Sequence, residues 1–218
     1  MLRPVLLPLL VGSVALIGST SAATADIVIV QYDDAVALNQ TNWSDTVSFP
    51  LFDPALGTLL SVSFELAGHV EGSAMFESLD AAPATVTMNL AAEIDLQRPD
   101  LTSLVTVLPL AATVDNVTAF DGVIDFGGTS GRTYENLSGD DSDSSSSNNA
   151  GDLALFTGVG TIDLPCSALG ASSGSGAGNL ILQFMTSASA DVSVIYEYEE
   201  PVVPTQEVTW GRVKSNYR

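Results

Sequence analysis

Basic residues, cysteine and histidine are what this chain has least of: six Lys or Arg, one cysteine and one histidine in 218 residues, against 26 Asp or Glu. Each scarcity removes a class of answer. The single cysteine, Cys166, forbids any intrachain disulfide, and one cysteine with one histidine cannot assemble a Cys/His zinc centre. Cys166 reads as a small buried residue rather than a nucleophile. A formal net charge of −20 repels nucleic acid and anionic lipid at ordinary salt, so neither is an expected partner. There is no P-loop, no dinucleotide fingerprint, no HExxH and no G-x-S-x-G elbow. Any Ser-His-Asp chemistry would have to pass through His69, which reads as a partly exposed strand-end histidine. A secreted hydrolase is therefore an alternative without a motif behind it, and the expected set of catalytic residues is empty. Also missing is any sustained helical stripe of apolar residues with caps.

Long apolar runs are confined to the first residues. "MLRPVLLPLLVGSVALIGSTSAATAD" carries Arg3, an apolar stretch from Val5 to Ile17, and the small-residue site Ala23-Thr24-Ala25. This is the pattern of a secretory signal, with cleavage expected between Ala25 and Asp26. Every later apolar candidate is interrupted by polar residues, so no membrane span is expected in the mature chain. The expected location is secreted, extracellular or at the cell surface. The expected organisation is a signal peptide over 1–25, one β-sandwich domain over 26–200, and an exposed tail over 201–218. The tail contains Arg212, Lys214 and Arg218, half of the basic residues.

What the chain does have is period-two alternation. "LLSVSFELAG" places Val62, Phe64 and Leu66 on one face with Ser61, Ser63 and Glu65 on the other. "ATVTMNLAAEIDL" does the same with Val86, Met88 and Leu90. "DIVIVQYD", "LVTVLPLAATV", "DLALFTGVGTIDL", "GNLILQFMTS" and "ADVSVIYEYEE" add further strands, with Pro109 marking an edge or a bulge. One apolar and one wet face per strand is the habit of antiparallel sheets. The predicted fold is all-β: an antiparallel β-sandwich, jelly-roll-like. Two stretches break the alternation. Residues 136–152, "NLSGDDSDSSSSNNAGD", and 171–178, "ASSGSGAG", read as polar flexible loops.

Three groups of residues are candidate sites. "FDGVIDFGGTSGRTY" joins Asp121-Gly122, Asp125, Gly127-Gly128, Gly131 and Arg132 to the apolar anchors Phe120, Ile124 and Phe126, with Val123 facing across the strand. Turn chemistry, locked by Arg132 pairing with Asp121 and Asp125, is the plainer reading, and a ligand site the alternative. Asp140, Asp141, Asp143 and Asp152 fall in one oxygen-rich stretch, and the last three sit at EF-hand-like positions. Calcium is thus a possible cofactor, although Ser146 stands where glycine is needed and no flanking helices are evident. Tyr32, Trp43 and Trp210 are rings for a glycan, with core or edge packing as their plainer use. Asn39, Asn42, Asn116 and Asn136 head N-x-[ST] sequons, which matter in a host that glycosylates secreted proteins.

Two stretches taken together, "FPLFDPALGTLLSVSFELAG" (49–68) and "TAFDGVIDFGGTSGRTY" (118–134), resemble the choice-of-anchor E domain. This is a family of exported bacterial proteins that often carry a PEP-CTERM sorting tail. The resemblance runs from about Asp26 to about Glu199. It implies a β-rich surface or matrix protein with no established enzymatic activity, and it carries over no catalytic residues. The end of this chain departs from the family pattern. "EEPVVPTQ" is proline-rich, but "EVTWGRVKSNYR" contains no apolar helix. The expectation is an exported, non-enzymatic β-sandwich of the envelope, extracellular matrix or biofilm. It would act by structural or adhesive contact with matrix or cell-surface components, glycans among them. A calcium- or carbohydrate-binding secreted module is the alternative.

Overall fold

The computed structural model describes residues 25–202. Nearly all of the expected signal segment, and the tail after Val202 with Trp210, lie outside the described residues. Within them the chain runs β1 (Ile27–Gln40), β2 (Trp43–Pro50), β3 (Thr58–Ser78), β4 (Ala84–Gln97), β5 (Ser103–Val107), β6 (Leu110–Val117), β7 (Gly131–Ser147), α1 (Ala150–Leu155), β8 (Thr161–Gly170), β9 (Ser173–Ser175) and β10 (Leu180–Glu199). These elements belong to one unit, Asp26–Pro201.

The strand pairings are all antiparallel, and they simplify. Along one side of β4, Ile94 faces Val107 and Ala91 faces Leu110 in unbroken register, so β5 and β6 are halves of one strand. The interruption falls at Pro109, which has no N–H to give. Along the other side, Ala92 faces Gly170 and Asn89 faces Ser173, so β9 continues β8. Four strands in the order β1-β10-β3-β7 therefore lie over four in the order β2-β8/β9-β4-β5/β6. The chain changes sheet at almost every connection. This is a jelly roll, the fold class expected from the alternation.

Alternation explains why each segment is a strand and where its core lies. In β3, Val62, Phe64, Leu66 and Val70 are buried, as are Val192, Val194 and Tyr196 of the neighbouring β10. They meet Leu90, Ile94 and Leu96 of β4 and Leu164, Cys166 and Ala168 of β8 in one continuous core. A smaller cluster of Ala74, Phe76, Val86, Met88 and Val117 fills the other end. Tyr196 is wholly buried, and its hydroxyl donates to the Pro50 carbonyl at 2.9 Å. Burial raises its pKa above the usual tyrosine value. Cys166 is also wholly buried, and desolvation pushes its thiol up to about 12, which leaves it inert.

Two expectations need correction. Residues 136–152 are not a loop: up to Ser147 they are part of β7, and the remainder opens α1. β7 is an edge strand with one face and one edge open to water, so it asks for polar side chains rather than an apolar stripe. Low hydrophobicity thus disguised a strand. Likewise 171–178 contains β9.

Phe64 packs against Phe156 with ring centroids 5.0 Å apart at 56°. Phe64→Ala is expected to destabilise the domain by about 3–5 kcal/mol. Urea unfolding would show this as a lowered midpoint with an unchanged slope.

Candidate functional site

Residues 118–130 carry the chain from β6 in one sheet to β7 in the other, and they are built as a turn. The Asp121 carboxylate accepts the N–H groups of Val123 at 3.1 Å and Thr129 at 3.2 Å. Those bonds hold its pKa below the usual carboxylate range. Asp125 accepts the Gly127 N–H at 2.9 Å. With both carboxylates engaged by backbone, Arg132 turns elsewhere, which corrects the expected pairing. Its guanidinium donates to the carbonyls of Gly128 at 3.0 Å and Gly131 at 2.5 Å. The carboxylate it pairs with is that of Asp115, at 3.8 Å. Phe120 and Phe126 are half-buried, but Val123 and Ile124 are exposed and anchor nothing.

The glycines of this turn answer to specific neighbours. Gly128 has φ +59°, and a Cβ there would lie 2.3 Å from an Asp121 carboxylate oxygen. A Cβ on Gly131 would lie 2.3 Å from Oε2 of Glu77. Glu77, on β3, is fully buried, and the Ser130 hydroxyl donates to its Oε1 at 2.5 Å. The motif therefore closes over a buried carboxyl group. The sequence singled out the glycines but not Glu77, because an acidic residue near a strand end carries no signal of burial.

The four aspartates of the calcium expectation are not brought together. Asp140, Asp141 and Asp143 lie on β7, with Asp140 on the opposite side from the other two. Asp141 caps the sandwich edge by accepting the Leu108 N–H at 2.8 Å. Asp152 is buried in α1, ion-paired with Arg98 and bonded to Ser147 and Asn149. Among the described residues, no three His, Cys, Asp or Glu side chains gather as a metal would require. The EF-hand-like spacing fails because an extended strand spreads its ligands, whereas that loop coils them around the ion. The two glycan-candidate rings among the described residues are also engaged in packing. Tyr32 meets Tyr196 edge-on at 6.1 Å, and the Trp43 indole donates to the Ala188 carbonyl at 3.1 Å.

The exposed chemistry lies instead on the outer face of the four-stranded sheet. Strand register sets side chains there in rows: Asp33, Ser193, Glu65, Ser144; then Ala35, Asp191, Ala67, Ser142; then Ser189, His69, Asp140; then Gln40, Ser187, Glu71, Ser138. Most of these side chains are short. Four shallow depressions follow β3 in line, from Ser63 past Glu65 and His69 to Ser73. The Ser193 hydroxyl and the Gln31 amide hold the Asp33 carboxyl below the usual range. His69 is the one basic side chain of these rows. Its Nδ1 lies 2.7 Å from Asp140 and its Nε2 3.5 Å from Glu71. It stands mid-strand, not at the strand end expected. The hydrogen bond to Asp140 raises its pKa above 6.5.

No family model matches the chain, and no curated protein matches it. Among solved structures, dimeric latent PorU from Porphyromonas gingivalis aligns at 13% identity over 82% of this chain and 14% of its own, with a TM-score of 0.26. The T13 particle of infectious bursal disease virus aligns at 11% identity over 94% and 49%, with a TM-score of 0.23. The VP2 subviral particle of that virus aligns at 14% over 88% and 42%, with a TM-score of 0.18. The chain thus spans at most about half of these proteins' lengths, and the likeness is too slight to bear on function.

Two outcomes follow from the geometry. Asp152→Ala leaves Arg98 without its buried partner and is expected to cost about 3–5 kcal/mol, read as a lowered urea midpoint. His69 gains its partner in the folded state, so its contribution is full below the unfolded pKa of about 6.5 and is lost as pH rises through the raised folded value. The melting temperature of His69→Gln should therefore fall below wild type by about 1–3 °C at acid pH. The difference should close as pH rises. A gap that widens with pH would contradict the pairing.

Proposed function

We propose that this chain is an exported, non-enzymatic contact module of the cell envelope, extracellular matrix or biofilm, working through the outer face of its four-stranded sheet. The observation that carries the reading is the composition of that face: rows of Ser, Ala, Asp and Glu, with the shallow depressions aligned along β3. A face of short polar side chains lets a partner approach the sheet closely and offers it many hydroxyl and carboxylate acceptors at once. Ser-His-Asp catalysis would need a nucleophile beside His69, yet its ring nitrogens face carboxylates rather than a hydroxyl. The contact reading requires no cofactor. Export is supported by the signal-like first segment. The likeness of residues 49–68 and 118–134 to the choice-of-anchor E domain points the same way.

The test is retention. Purified protein is added to washed producing cells and their matrix, and the bound fraction is compared with that of the double variant Ser144→Arg, Ser193→Arg. Both sites flank Glu65 on the outer face, and the expected loss is about tenfold or more in affinity. Retention unchanged by the double variant, at an unchanged melting temperature, would defeat the reading.

A further inference from the structure

We infer that the outer face of the four-stranded sheet binds an extended polypeptide segment carrying Lys or Arg at alternate positions. The inference rests on the contact reading above and names the partner for that surface.

Its basis is a match of pitch. The four rows that begin at Asp33, Ala35, Ser189 and Gln40 each carry at least one exposed carboxylate: Glu65, Asp191, Asp140 and Glu71 in turn. Successive rows are two residues apart along the strands, about 6.8 Å. An extended chain laid along β3 repeats its side chains at that same interval. A helix places same-face side chains three or four residues apart with a pitch near 5.4 Å, so it falls out of step within two turns. The carboxylates fall one to a row, on β3, β10, β7 and β3 in turn, and among the described residues they form no knot that would hold a single ion. Between them stand Ser142, Ser144, Ala67 and Ser187, too short to hold a partner's backbone away. The succession of rows also follows the depressions along β3.

One carboxylate is already served. His69 lies 2.7 Å from Asp140, with Glu71 farther off at 3.5 Å, so the third row needs a neutral partner side chain. The chain writes such a sequence itself: Arg212, Lys214, Asn216 and Arg218 alternate, with the neutral residue third. The dodecapeptide EVTWGRVKSNYR, residues 207–218, is accordingly the probe of choice. The competing anionic partners, nucleic acid and acidic lipid, are repelled by the same carboxylates.

The experiment is fluorescence anisotropy of that labelled peptide with the full chain at low ionic strength. It is run beside an isomer of equal composition whose three basic residues are contiguous. The expected result is binding that weakens as salt rises, with the alternating peptide severalfold tighter than the isomer. Glu65→Gln, Asp191→Asn and Glu71→Gln should each weaken it by roughly two- to fivefold. Glu93→Gln and Asp163→Asn, on the opposite sheet, should leave it unchanged. Equal affinity for the two peptides would overturn the inference, as would equal losses from the opposite-sheet variants or absence of binding at the lowest salt. If the peptide fails while Ser144→Arg, Ser193→Arg still abolishes retention on cells, this inference falls and the contact reading stands. If retention too is unaffected, both fall.

Discussion

Strand β3 hydrogen-bonds to β10 from Thr58 to Ser78 and to β7 along most of the same length, and side chains on a strand alternate between faces. Those two facts decide both surfaces of the sheet together. The residues that put Val62, Phe64 and Leu66 into the core put Ser63, Glu65 and Ala67 outside it. A slip of one residue would bring carboxylates inward and expose the aromatic rings, so the buried face holds the outer face in register. The ordered rows of hydroxyls and carboxylates are therefore a consequence of core packing, not a separately stabilised site.

A domain without a disulfide needs its edges closed by other means. At one end, the turn from β6 to β7 spends the Asp121 and Asp125 carboxylates on backbone N–H groups and closes over Glu77. Beyond β7, the Arg98–Asp152 pair ties α1 to the residue that follows β4. Asp141 reaches from β7 to the backbone at Leu108 in the other sheet, and Tyr196 reaches from β10 to the end of β2 at Pro50. These contacts are polar and directional, and those at Glu77, Arg98, Leu108 and Pro50 join elements far apart in the chain. The acidic residues thus divide into two populations. Some are buried or engaged in structure, and others stand free on the outer face, where their mutual repulsion favours a cationic partner.

Much of the fold was legible because alternation is a local property. "LLSVSFELAG" and "ATVTMNLAAEIDL" announce their buried faces within a few residues, and Pro109 marks its own interruption. β7 was not legible. Its outer side faces water and its edge is unpaired, so "DDSDSSSS" carries no apolar stripe, and its strand character comes from the hydrogen bonds of β3. The turn motif was half legible. Its glycines and aspartates declare a turn in any context, whereas the partner of Arg132 and the burial of Glu77 depend on which strands stand beside them.

The sequence by itself determined the alternating strands, the absence of disulfides and the large negative charge, since each is a matter of composition or near-neighbour spacing. Only the tertiary structure decided which acids share a surface. Glu65, Asp140 and Asp191 lie on three different strands, far apart in the chain, and no local pattern relates them. Long-range register brings them into successive rows, while the passage of the chain from β7 into α1, where Asp152 meets Arg98, separates Asp152 from the aspartates that precede it so closely in the chain.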